Sequence, residues 1–281
     1  MPDLAQPIAP FGSFKPSVLQ EALIGFGHAM PRNWLGQRGT TLARFLLQHW
    51  LSRPVDGQRL GSKMRLNPVG NASERRLLVC PQFFDAEVLA LLATRITPDF
   101  VFIDIGANAG TYSLFVAGRA GSNARILAVE PNPGARERLT CNLALNNYHC
   151  VEVVPAALGP AAGEVELVVN PRNMGASSIL GDWDRTKDSY SVRVPCETLQ
   201  GLVERKGLSR IDALKIDVEG AEDQVLVPFL ESTEPELRPR FLITEDNRTR
   251  WRRDLVAVAT ALGYQKLLCS GGNVVLAAPA G

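Results

Sequence analysis

Two glycines in the middle of the chain have the spacing of a ligand-binding turn. Residues 102–113 read FIDIGANAGTYS, so an apolar run ends at Asp104 and opens into Gly106 and Gly110. Asn108 stands where a dinucleotide-binding turn has its second glycine, which lets the backbone approach a pyrophosphate. No Gly-Lys-Ser or Gly-Lys-Thr follows, and this excludes a P-loop as well. The turn therefore suits a ligand that has a small charged group but no phosphate.

An acidic residue ends the next apolar run of the chain. Glu130 closes ARILAVE, 24 residues beyond Gly106, where a carboxylate can accept hydrogen bonds from two ribose hydroxyls and would repel a 2′-phosphate. A ribose without a pyrophosphate indicates S-adenosylmethionine, whose amino-acid end can lie over the glycine turn beside Asp104. A tight packing turn without any ligand is the alternative, and Glu130 together with the terminal hairpin described below weighs against it.

If the methyl group of this cofactor goes to a hydroxyl, transfer depends on positioning and on a group that takes up the hydroxyl proton. Five carboxylates lie at or just beyond the ends of the apolar runs ALKIDVEG and FLITEDN: Asp217, Glu219, Glu222, Glu245 and Asp246. We expect Asp217 at the sulfonium and Glu219 or Glu245 at the acceptor, as base or hydrogen-bond partner. Glu222 and Asp246 are expected to stabilise helix N-termini instead.

Histidines and metal ions are weaker candidates for the same task. His149 lies between a predicted helix and the third strand, at the sheet edge opposite to the one where ligands bind. His28 and His49 lie in the N-terminal region, where a surface or packing role is expected. The carboxylates could hold a divalent ion, but no histidine joins them and no metal is predicted. Lys215, between two apolar neighbours, is expected to form a structural ion pair.

Alternating strands and helices must position these residues. From about residue 98 onward, apolar strand-like runs alternate with amphipathic helical stretches, which predicts βαβ units and a parallel sheet covered on both faces. Asn132 and Pro133 have the types expected for the N-cap and first position of a helix. Near the end, QKLLCS and NVVLAA are separated only by Gly271 and Gly272, so they must form an antiparallel hairpin.

The N-terminal region, residues 1–97, is predicted to be an appendage that could cap the substrate site, ahead of a cofactor-binding domain over residues 98–281. TTLARFLLQHWLSR has the pattern of an amphipathic helix, and KMRLNPV and RRLLVC look like strands. The helix mixes Phe45 and Trp50 with arginines, so it either packs on its own domain or lies on a membrane surface.

Several motifs resemble the FkbM-type methyltransferases of the class I S-adenosylmethionine-dependent group. They are FIDIGANAGTYSL, AVEPNP with NLALNN, AALG, MGASSI and above all LKIDVEGAE, over about residues 67–247. The family implies a seven-stranded sheet, so the predicted fold is α/β, Rossmann-like and mostly parallel with a terminal antiparallel hairpin. It also implies S-adenosylmethionine as cofactor and an O-methyltransferase that acts on a hydroxyl of a sugar, glycolipid, polysaccharide or polyketide.

The resemblance carries residue roles over as well. It places Asp104, Gly106, Asn108, Gly110 and Glu130 at cofactor positions, with Ala157 near the adenine. The neighbours assigned to the same pocket are Ala107, Tyr112, Ser113, Pro131, Asn132 and Asp217. The acceptor is expected to contact Asn71 and Glu74 of the appendage and the polar loop residues Asn173, Ser177 and Ser178.

Composition excludes several classes of protein. The 281 residues carry 30 basic and 29 acidic side chains, so there is no bulk electrostatic reason for nucleic-acid binding, and a small molecule or glycan is the expected acceptor. The five cysteines form no C-x-x-C pair. The N-terminus has no signal-peptide pattern, and no run reaches the roughly 18 apolar residues of a membrane span. A cytoplasmic protein without a transmembrane segment is expected, with the oligomeric state left open, a homo-oligomer included.

Two other functions are compatible with the sequence. An NAD-dependent oxidoreductase is the first, and Asn108 and the terminal hairpin weigh against it. A module that binds S-adenosylmethionine without turnover is the second, and the carboxylates at positions 217, 219 and 245 weigh against it. Four scattered basic residues either hold an acidic or phosphorylated acceptor or form a solvated face: Arg172, Arg185, Lys187 and Arg193.

Overall fold

Four helices and a hairpin precede the main sheet in the described part of the chain. The computed structural model describes residues 8–50, 53–180 and 186–279, apart from the side chains of residues 47–50. The first elements are α1 (Val18–Ala29), α2 (Trp34–Trp50), β1 (Val55–Arg59), β2 (Ser62–Leu66), α3 (Ala72–Val79) and α4 (Ala86–Ala93). Strands β1 and β2 form an antiparallel hairpin, and β2 is the strand predicted from KMRLNPV.

The segment RRLLVC, predicted to be a strand, is helical except for its last residue, and that prediction was wrong. Asn71 caps helix α3: its Oδ1 accepts hydrogen bonds from the backbone N–H groups of Ser73 at 3.1 Å and Glu74 at 3.2 Å. The first amides of a helix have no partner within the helix, so this cap stabilises its start. An apolar run of four residues fits either a buried strand or one face of a helix, and the cap favours the helix here.

Alternating strands and helices follow, as predicted. In chain order they are β3 (Val101–Ile105), α5 (Thr111–Ala117), β4 (Arg125–Val129), α6 (Pro133–Ala144), β5 (Val151–Val154), β6 (Ala157–Leu158), β7 (Gly163–Val169), β8 (Tyr190–Glu197), α7 (Leu199–Arg205), β9 (Ala213–Ile216), α8 (Glu222–Ser232), β10 (Phe241–Glu245), α9 (Leu255–Ala261), β11 (Gln265–Ser270) and β12 (Asn273–Ala277). Asn132 is the N-cap of α6, and its side chain accepts a hydrogen bond from the backbone N–H of Gly134.

Seven of these strands form one sheet in the order β11-β12-β10-β9-β3-β4-β5. The five strands from β10 to β5 are parallel, whereas β12 is antiparallel to both β10 and β11. The sheet is therefore mostly parallel with a terminal antiparallel hairpin, which confirms the predicted α/β fold. The carboxyl ends of β3, β4, β9 and β10 meet at one edge, the edge at which open α/β sheets bind ligands.

A second, three-stranded sheet has the order β6-β8-β7. The segments GEVELVVN and SVRVPCETL contain β7 and β8, which pair antiparallel over Gly163–Val169, while β6 is parallel to β8. Its buried residues include Ala157, Leu167 and Val194. The polar loop with MGASSI follows β7 and contains the short 3-10 helix Met174–Ala176.

Two apolar layers cover the two faces of the main sheet. On one face, Leu77 and Val88 of the N-terminal region belong to the same buried cluster as Phe102 of β3 and Ile243 of β10. On the other face, strand residues such as Leu214 pack with helices α7, α8 and α9. Neighbouring strand residues point to opposite faces, so a buried parallel strand needs apolar side chains at both. The N-terminal region thus shares one core with the sheet, and a domain boundary at residue 97 stays a prediction.

Helix α2 is packed on one side and exposed on the other. Thr40 and Ala43 are buried, whereas Trp34, Leu42 and Phe45 have exposed fractions of 62%, 56% and 59%. The side chain of Trp50 lies outside the described residues. The helix packs on its own domain through one face, and the outer face keeps an apolar character. Within the described residues, no helix is long and apolar enough to cross a membrane.

Candidate active site

A cavity of about 370 Å³ opens at the carboxyl ends of β3, β4, β9 and β10. Its volume lies in the roughly 300–1,000 Å³ range of small-molecule sites. It brings together thirteen of the predicted site residues: Asp104, Gly106, Ala107, Asn108, Tyr112, Glu130, Pro131, Ala157, Asn173, Ser177, Asp217, Glu219 and Glu245. Residues that are far apart in the sequence therefore converge where the strand order predicts a ligand.

Three predicted cofactor residues lie behind the cavity lining rather than in it. Ser113, expected as a wall, donates from its backbone N–H at 3.0 Å and its hydroxyl at 2.7 Å to Asp104 Oδ2. Asn132 donates its backbone N–H to Glu130 Oε1 at 2.8 Å. Gly110 starts helix α5 at a φ of +90°. Ser113 and Asn132 thus orient the lining carboxylates of Asp104 and Glu130. Gly110 is buried at the end of the glycine turn.

The structure also corrects the placement of three predicted acceptor residues. Glu74 is buried and forms an ion pair with Arg138 outside the cavity lining. Asn71 donates its side-chain amide to Asn108 Oδ1 at 2.7 Å, so it supports the glycine turn. Ser178 is buried where its backbone pairs with Val168 of β7. Each side chain is held by protein partners that were not apparent from its position in the sequence.

The glycine turn uses left-handed backbone conformations at three places. Gly106, Asn108 and Gly110 have φ values of +76°, +51° and +90°. Asparagine is one of the residues that tolerate this region, which explains how it stands in a glycine turn. A Cβ atom at Gly106 would lie 2.0 Å from the carbonyl oxygen of Asp217. Only glycine lets the turn approach the end of β9 this closely.

Glu130 is held rigidly at the end of β4. Its Oε2 accepts the backbone N–H of Asn108 at 2.7 Å, and its Oε1 accepts the backbone N–H of Asn132 at 2.8 Å. Burial raises the pKa of Glu130 to about 7, although both N–H groups oppose the shift. Each carboxylate oxygen keeps a second lone pair, so the side chain can still accept bonds from two hydroxyls.

Three carboxylates gather on the opposite side of the cavity. Burial, and then the charges of Asp217 and Glu245, raise the pKa of Glu219 to about 8. Burial and the charge of Asp217 raise the pKa of Glu245 to about 6. Glu219 also has a φ of +60°, which is uncommon for a residue with a side chain. Backbone strain of this kind concentrates at functional sites, where the surrounding structure maintains it.

Glu222 supports this cluster from the start of helix α8. Its Oε1 accepts the backbone N–H groups of Val218 at 3.0 Å and Gly220 at 3.1 Å, and its Oε2 accepts the indole N–H of Trp251 at 2.8 Å. It therefore lies at a helix N-terminus as predicted, and it also fixes the loop that carries Glu219.

The expectation that Asp246 stabilises a helix N-terminus was wrong. Its side chain pairs with Arg248, and the next helix, α9, begins at Leu255 with Asp254 as its N-cap. The Asp254 side chain accepts the backbone N–H of Ala257 at 3.0 Å. Asp246 directly follows β10 and was taken for the residue that caps the next helix. The loop between β10 and α9 is longer than expected, and Asp254 at its end is the cap.

A group of three carboxylates could hold a divalent cation. Asp217, Glu222 and Glu245 each offer an oxygen, and these oxygens lie within 4.8 Å of one another. The side-chain amide of Asn247, however, donates to Glu245 Oε2 at 2.7 Å and to Glu222 Oε1 at 3.2 Å. Asn247 thus already occupies one oxygen of Glu222 and one of Glu245. A site without metal stays a prediction.

Lys215 provides the counter-charge of the cluster. Its ammonium group lies 3.2 Å from Asp217 Oδ2 and donates to the carbonyl oxygen of Gly106 at 3.3 Å. The predicted structural ion pair is confirmed. Lys215 also lines the cavity, which the sequence did not indicate, because alternation with apolar neighbours suggests only a buried stem.

The two histidines with described side chains lie outside the cavity lining. His149 is exposed just before β5, as expected. The Nε2 atom of His28 lies 2.9 Å from the carbonyl oxygen of Leu78. The side chain of His49 is outside the described residues. Neither described histidine lines the cavity, whereas Asp217, Glu219 and Glu245 do.

The family is decided by a match across the central part of the chain. The family description "Methyltransferase FkbM domain" matches residues 104–264, from the end of β3 to the start of β11. The matched region covers more than half of the 281 residues. The chain belongs to the FkbM methyltransferase family.

Three relatives show how far the likeness to this FkbM methyltransferase extends. "Methyltransferase sdnD" of Sordaria araneosa is 30% identical, over 57% of this chain and 80% of that protein. "Hexuronic acid methyltransferase AglP" of Haloferax volcanii is 28% identical, over 50% of this chain and 55% of that protein. "AMB antimetabolite synthetase AmbE" of Pseudomonas aeruginosa is 29% identical over 60% of this chain, but the match spans only 10% of that protein.

The cofactor of the FkbM methyltransferase is S-adenosylmethionine, because the chain combines this family with the class I α/β sheet. The residues present fit this molecule. The rigid carboxylate of Glu130 suits a ribose, and the site has no phosphate lysine in its glycine turn. Ala156, Ala157 and Leu158 form an apolar shelf in the cavity. The rival assignment as an oxidoreductase is set aside by the family.

Three charged lining residues of the FkbM methyltransferase come from the N-terminal region and were not predicted. They are Arg44 of α2, Arg76 of α3 and Asp85 before α4. Asp85 accepts the phenol O–H of Tyr112 at 3.0 Å. The upstream signals were weak: NPVGNASERRLL and PQFFDAEVLALL resemble the segment that precedes the first strand in many members of the family. Of the four basic residues considered for the acceptor, Arg172 pairs with Asp188 at the surface, Lys187 and Arg193 are exposed, and Arg185 lies outside the described residues.

Proposed function

We propose that this FkbM methyltransferase transfers the methyl group of S-adenosylmethionine to a hydroxyl oxygen of a sugar-containing or other hydroxylated natural product. The observation that carries the proposal is the pair Glu219 and Glu245, two cavity-lining carboxyl groups with raised pKa values. An alcohol loses its proton around the transition state, and a carboxylate with a raised pKa binds that proton more strongly than an exposed one. A neutral amine, by contrast, can attack through its lone pair before it loses a proton.

Glu219 or Glu245 acts as the base in this proposal. When bound, the cofactor supplies an electrophilic methyl carbon on a positively charged sulfur, which becomes a neutral thioether as the carbon–oxygen bond forms. The ionised carboxylate takes up the hydroxyl proton of the acceptor, so charge is conserved. Asp217 lies beside the sulfonium, and its ion pair with Lys215 keeps it oriented. The strained backbone at Glu219 fixes the carboxylate before the acceptor arrives.

The cofactor is bound by the other side of the cavity in this proposal. Glu130 accepts the two ribose hydroxyls, the turn from Gly106 to Gly110 holds the amino-acid end near Asp104, and Ala157 contacts the adenine. Oxygen Oδ1 of Asp104 is buried and has no hydrogen-bond partner among the described residues. Tyr112 and Pro131 complete the walls.

A sugar acceptor is supported by one of the relatives. The Haloferax volcanii protein is named for methylation of a hexuronic acid, and its match includes half of this chain. Asn173 and Ser177 line the cavity from the loop after β7, where they can donate hydrogen bonds to hydroxyl groups. The cytoplasmic location and a homo-oligomer stay predictions.

Transfer of a radiolabelled methyl group to a panel of glycosides and hydroxylated polyketides tests the proposal. The product should carry the label on oxygen, and Glu219→Gln or Glu245→Gln should lower kcat by roughly 10²–10⁴-fold, the usual loss of a general base. Glu236→Gln, at an exposed acidic residue outside the cavity lining, is the matched control. Label on nitrogen or carbon alone would contradict O-methylation. Cofactor binding without transfer to any acceptor would favour the non-catalytic module instead.

A further inference from the structure

We infer that the acceptor carries a carboxylate or phosphate group, and that Arg44 and Arg76 bind this anion at the wall of the cavity formed by the N-terminal region. The inference rests on the proposed function and names the class of its substrate. Both arginines line the cavity that contains the carboxylate cluster. They come from helices α2 and α3, whereas the cofactor side of the cavity is built from the loops after β3 and β4.

Arg44 has few partners in the protein. Its Nη2 atom donates to the hydroxyl of Thr41 at 3.1 Å, and its Nε atom is buried without a hydrogen-bond partner in the described part of the chain. The side chain is half-buried. A guanidinium group has five N–H donors, so most of this donor capacity is available to a ligand. A half-buried cation with unused donors in a cavity is a typical anion-binding group.

Arg76 is placed by the backbone of the next turn. Its Nη2 atom donates to the carbonyl oxygen of Phe83, and its guanidinium lies 6.0 Å from the ring centroid of Phe84. A carbonyl oxygen orients the group without neutralising it. Among the described residues, neither Arg76 nor Arg44 has a carboxylate oxygen within the 4.0 Å of an ion pair.

The charges around these arginines leave this wall positive. Burial, and then repulsion from Arg44, lower the pKa of Arg75. Asp85 is the acidic residue of the same wall, and its carboxylate is engaged by the phenol of Tyr112. Burial raises the pKa of Asp85, although the hydrogen bond from Tyr112 and the charge of Arg76 oppose the shift. The three carboxylates proposed for the reaction come instead from the carboxyl ends of β9 and β10 and the loop after β9.

Cations from α2 and α3 and carboxylates from the sheet edge would together give an anionic acceptor a preferred orientation. An anionic group is repelled by Asp217, Glu219 and Glu245 and attracted by the two arginines. A hydroxyl elsewhere on the same molecule is then directed toward the carboxylates that take up its proton. An uncharged sugar has no such orienting contact, so the arginines would distinguish acidic acceptors from neutral ones.

Matched pairs of probes test the inference on the full-length enzyme loaded with S-adenosylhomocysteine. Binding of p-nitrophenyl β-D-glucuronide is compared with that of p-nitrophenyl β-D-glucoside, and glucose 1-phosphate with glucose, by calorimetry or ligand-observed NMR. At least one acidic probe should bind its site at least about tenfold more tightly than its neutral partner does, as expected for charge-assisted hydrogen bonds. The first pair detects carboxylate recognition and the second detects phosphate recognition.

Variants assign this preference to the two arginines. Arg44→Gln and Arg76→Gln should each remove most of the preference while the affinity for S-adenosylhomocysteine stays unchanged. Arg253→Gln, at an exposed arginine that pairs with Glu231, should leave both quantities unchanged. Equal binding of acidic and neutral probes, no binding of any probe, or a preference that survives both substitutions would overturn the inference. An enzyme that methylates neutral glycosides would keep the proposed function and lose only this assignment.

Discussion

At the scale of single residues, Glu130 is the side chain that we propose to contribute most to cofactor recognition. Its two oxygens already accept backbone N–H groups, and the cofactor's ribose hydroxyls would complete their hydrogen bonds. Glu130→Ala should weaken binding of S-adenosylhomocysteine by about 1–3 kcal/mol, because the ribose and the two N–H groups lose their acceptor. Calorimetric titration measures the change directly. Glu137→Ala, at an exposed glutamate on α6, is the matched control and should bind as the wild type does.

An unchanged affinity in Glu130→Ala would remove this residue from the ribose. The melting temperature of each variant should be recorded as well, since loss of two hydrogen bonds also loosens the glycine turn. A variant that melts like the wild type and still binds poorly isolates the contribution of the cofactor contact.

With Glu219 as the proposed base, the reaction should depend on pH. Burial and neighbouring carboxylates raise the pKa of Glu219 to about 8, and a base must be ionised to accept a proton. Below that value the ionised fraction falls about tenfold per pH unit, so kcat should rise between about pH 6 and pH 8 and then level off. The measurement is a kcat profile at saturating cofactor and acceptor. Glu219→Gln should lose this rise, whereas a profile that falls with increasing pH would exclude Glu219 as the base.

At the scale of elements, the contact between the glycine turn and the end of β9 decides whether the cavity forms. A methyl group at Gly106 would collide with the backbone of Asp217, which cannot move as a flexible side chain would. Gly106→Ala should therefore lower the melting temperature and abolish cofactor binding. Gly25→Ala is a useful contrast, because it lies within α1 with open space around it and should be neutral or stabilising by about 0.5–1 kcal/mol. Equal melting temperatures for the two variants would contradict the close approach.

Some elements could be predicted from the sequence and others could not. Strands β3, β4 and β9 follow from apolar runs that end at an acidic residue or a glycine, and the hairpin follows from the two-residue link at Gly271 and Gly272. Helix α3 was missed, because a short apolar run fits both strand and helix until the Asn71 cap is known. Asp246 was misassigned for a related reason, since only the course of the loop shows which aspartate caps α9.

Some residues of the candidate site could likewise be predicted from the sequence, and others could not. Residues that directly follow a strand, such as Asp104, Glu130 and Asp217, reach the cavity because parallel strands end at one edge. Arg44 and Arg76 reach it through the packing of two helices across the sheet, and no periodic pattern in the sequence reports such a contact. Glu74 looked equally suitable, but it is satisfied by Arg138.

At the scale of the whole molecule, the N-terminal region and the sheet should unfold together. Leu77 and Val88 belong to the same buried cluster as Phe102 and Ile243, so neither part can lose its structure without exposing the core of the other. Differential scanning calorimetry should show one cooperative transition, with equal calorimetric and van't Hoff enthalpies. Two separate transitions would mean that the parts are independent domains, in agreement with a boundary near residue 97.

The central claim is that the cavity at the carboxyl ends of β3, β4, β9 and β10 binds S-adenosylmethionine. Calorimetric titration of the full-length protein with S-adenosylhomocysteine tests it most directly, because this product needs no knowledge of the acceptor. We predict a saturable binding isotherm with one site per chain. If a melting transition shows that the protein is folded, the absence of detectable binding at millimolar ligand would contradict the account.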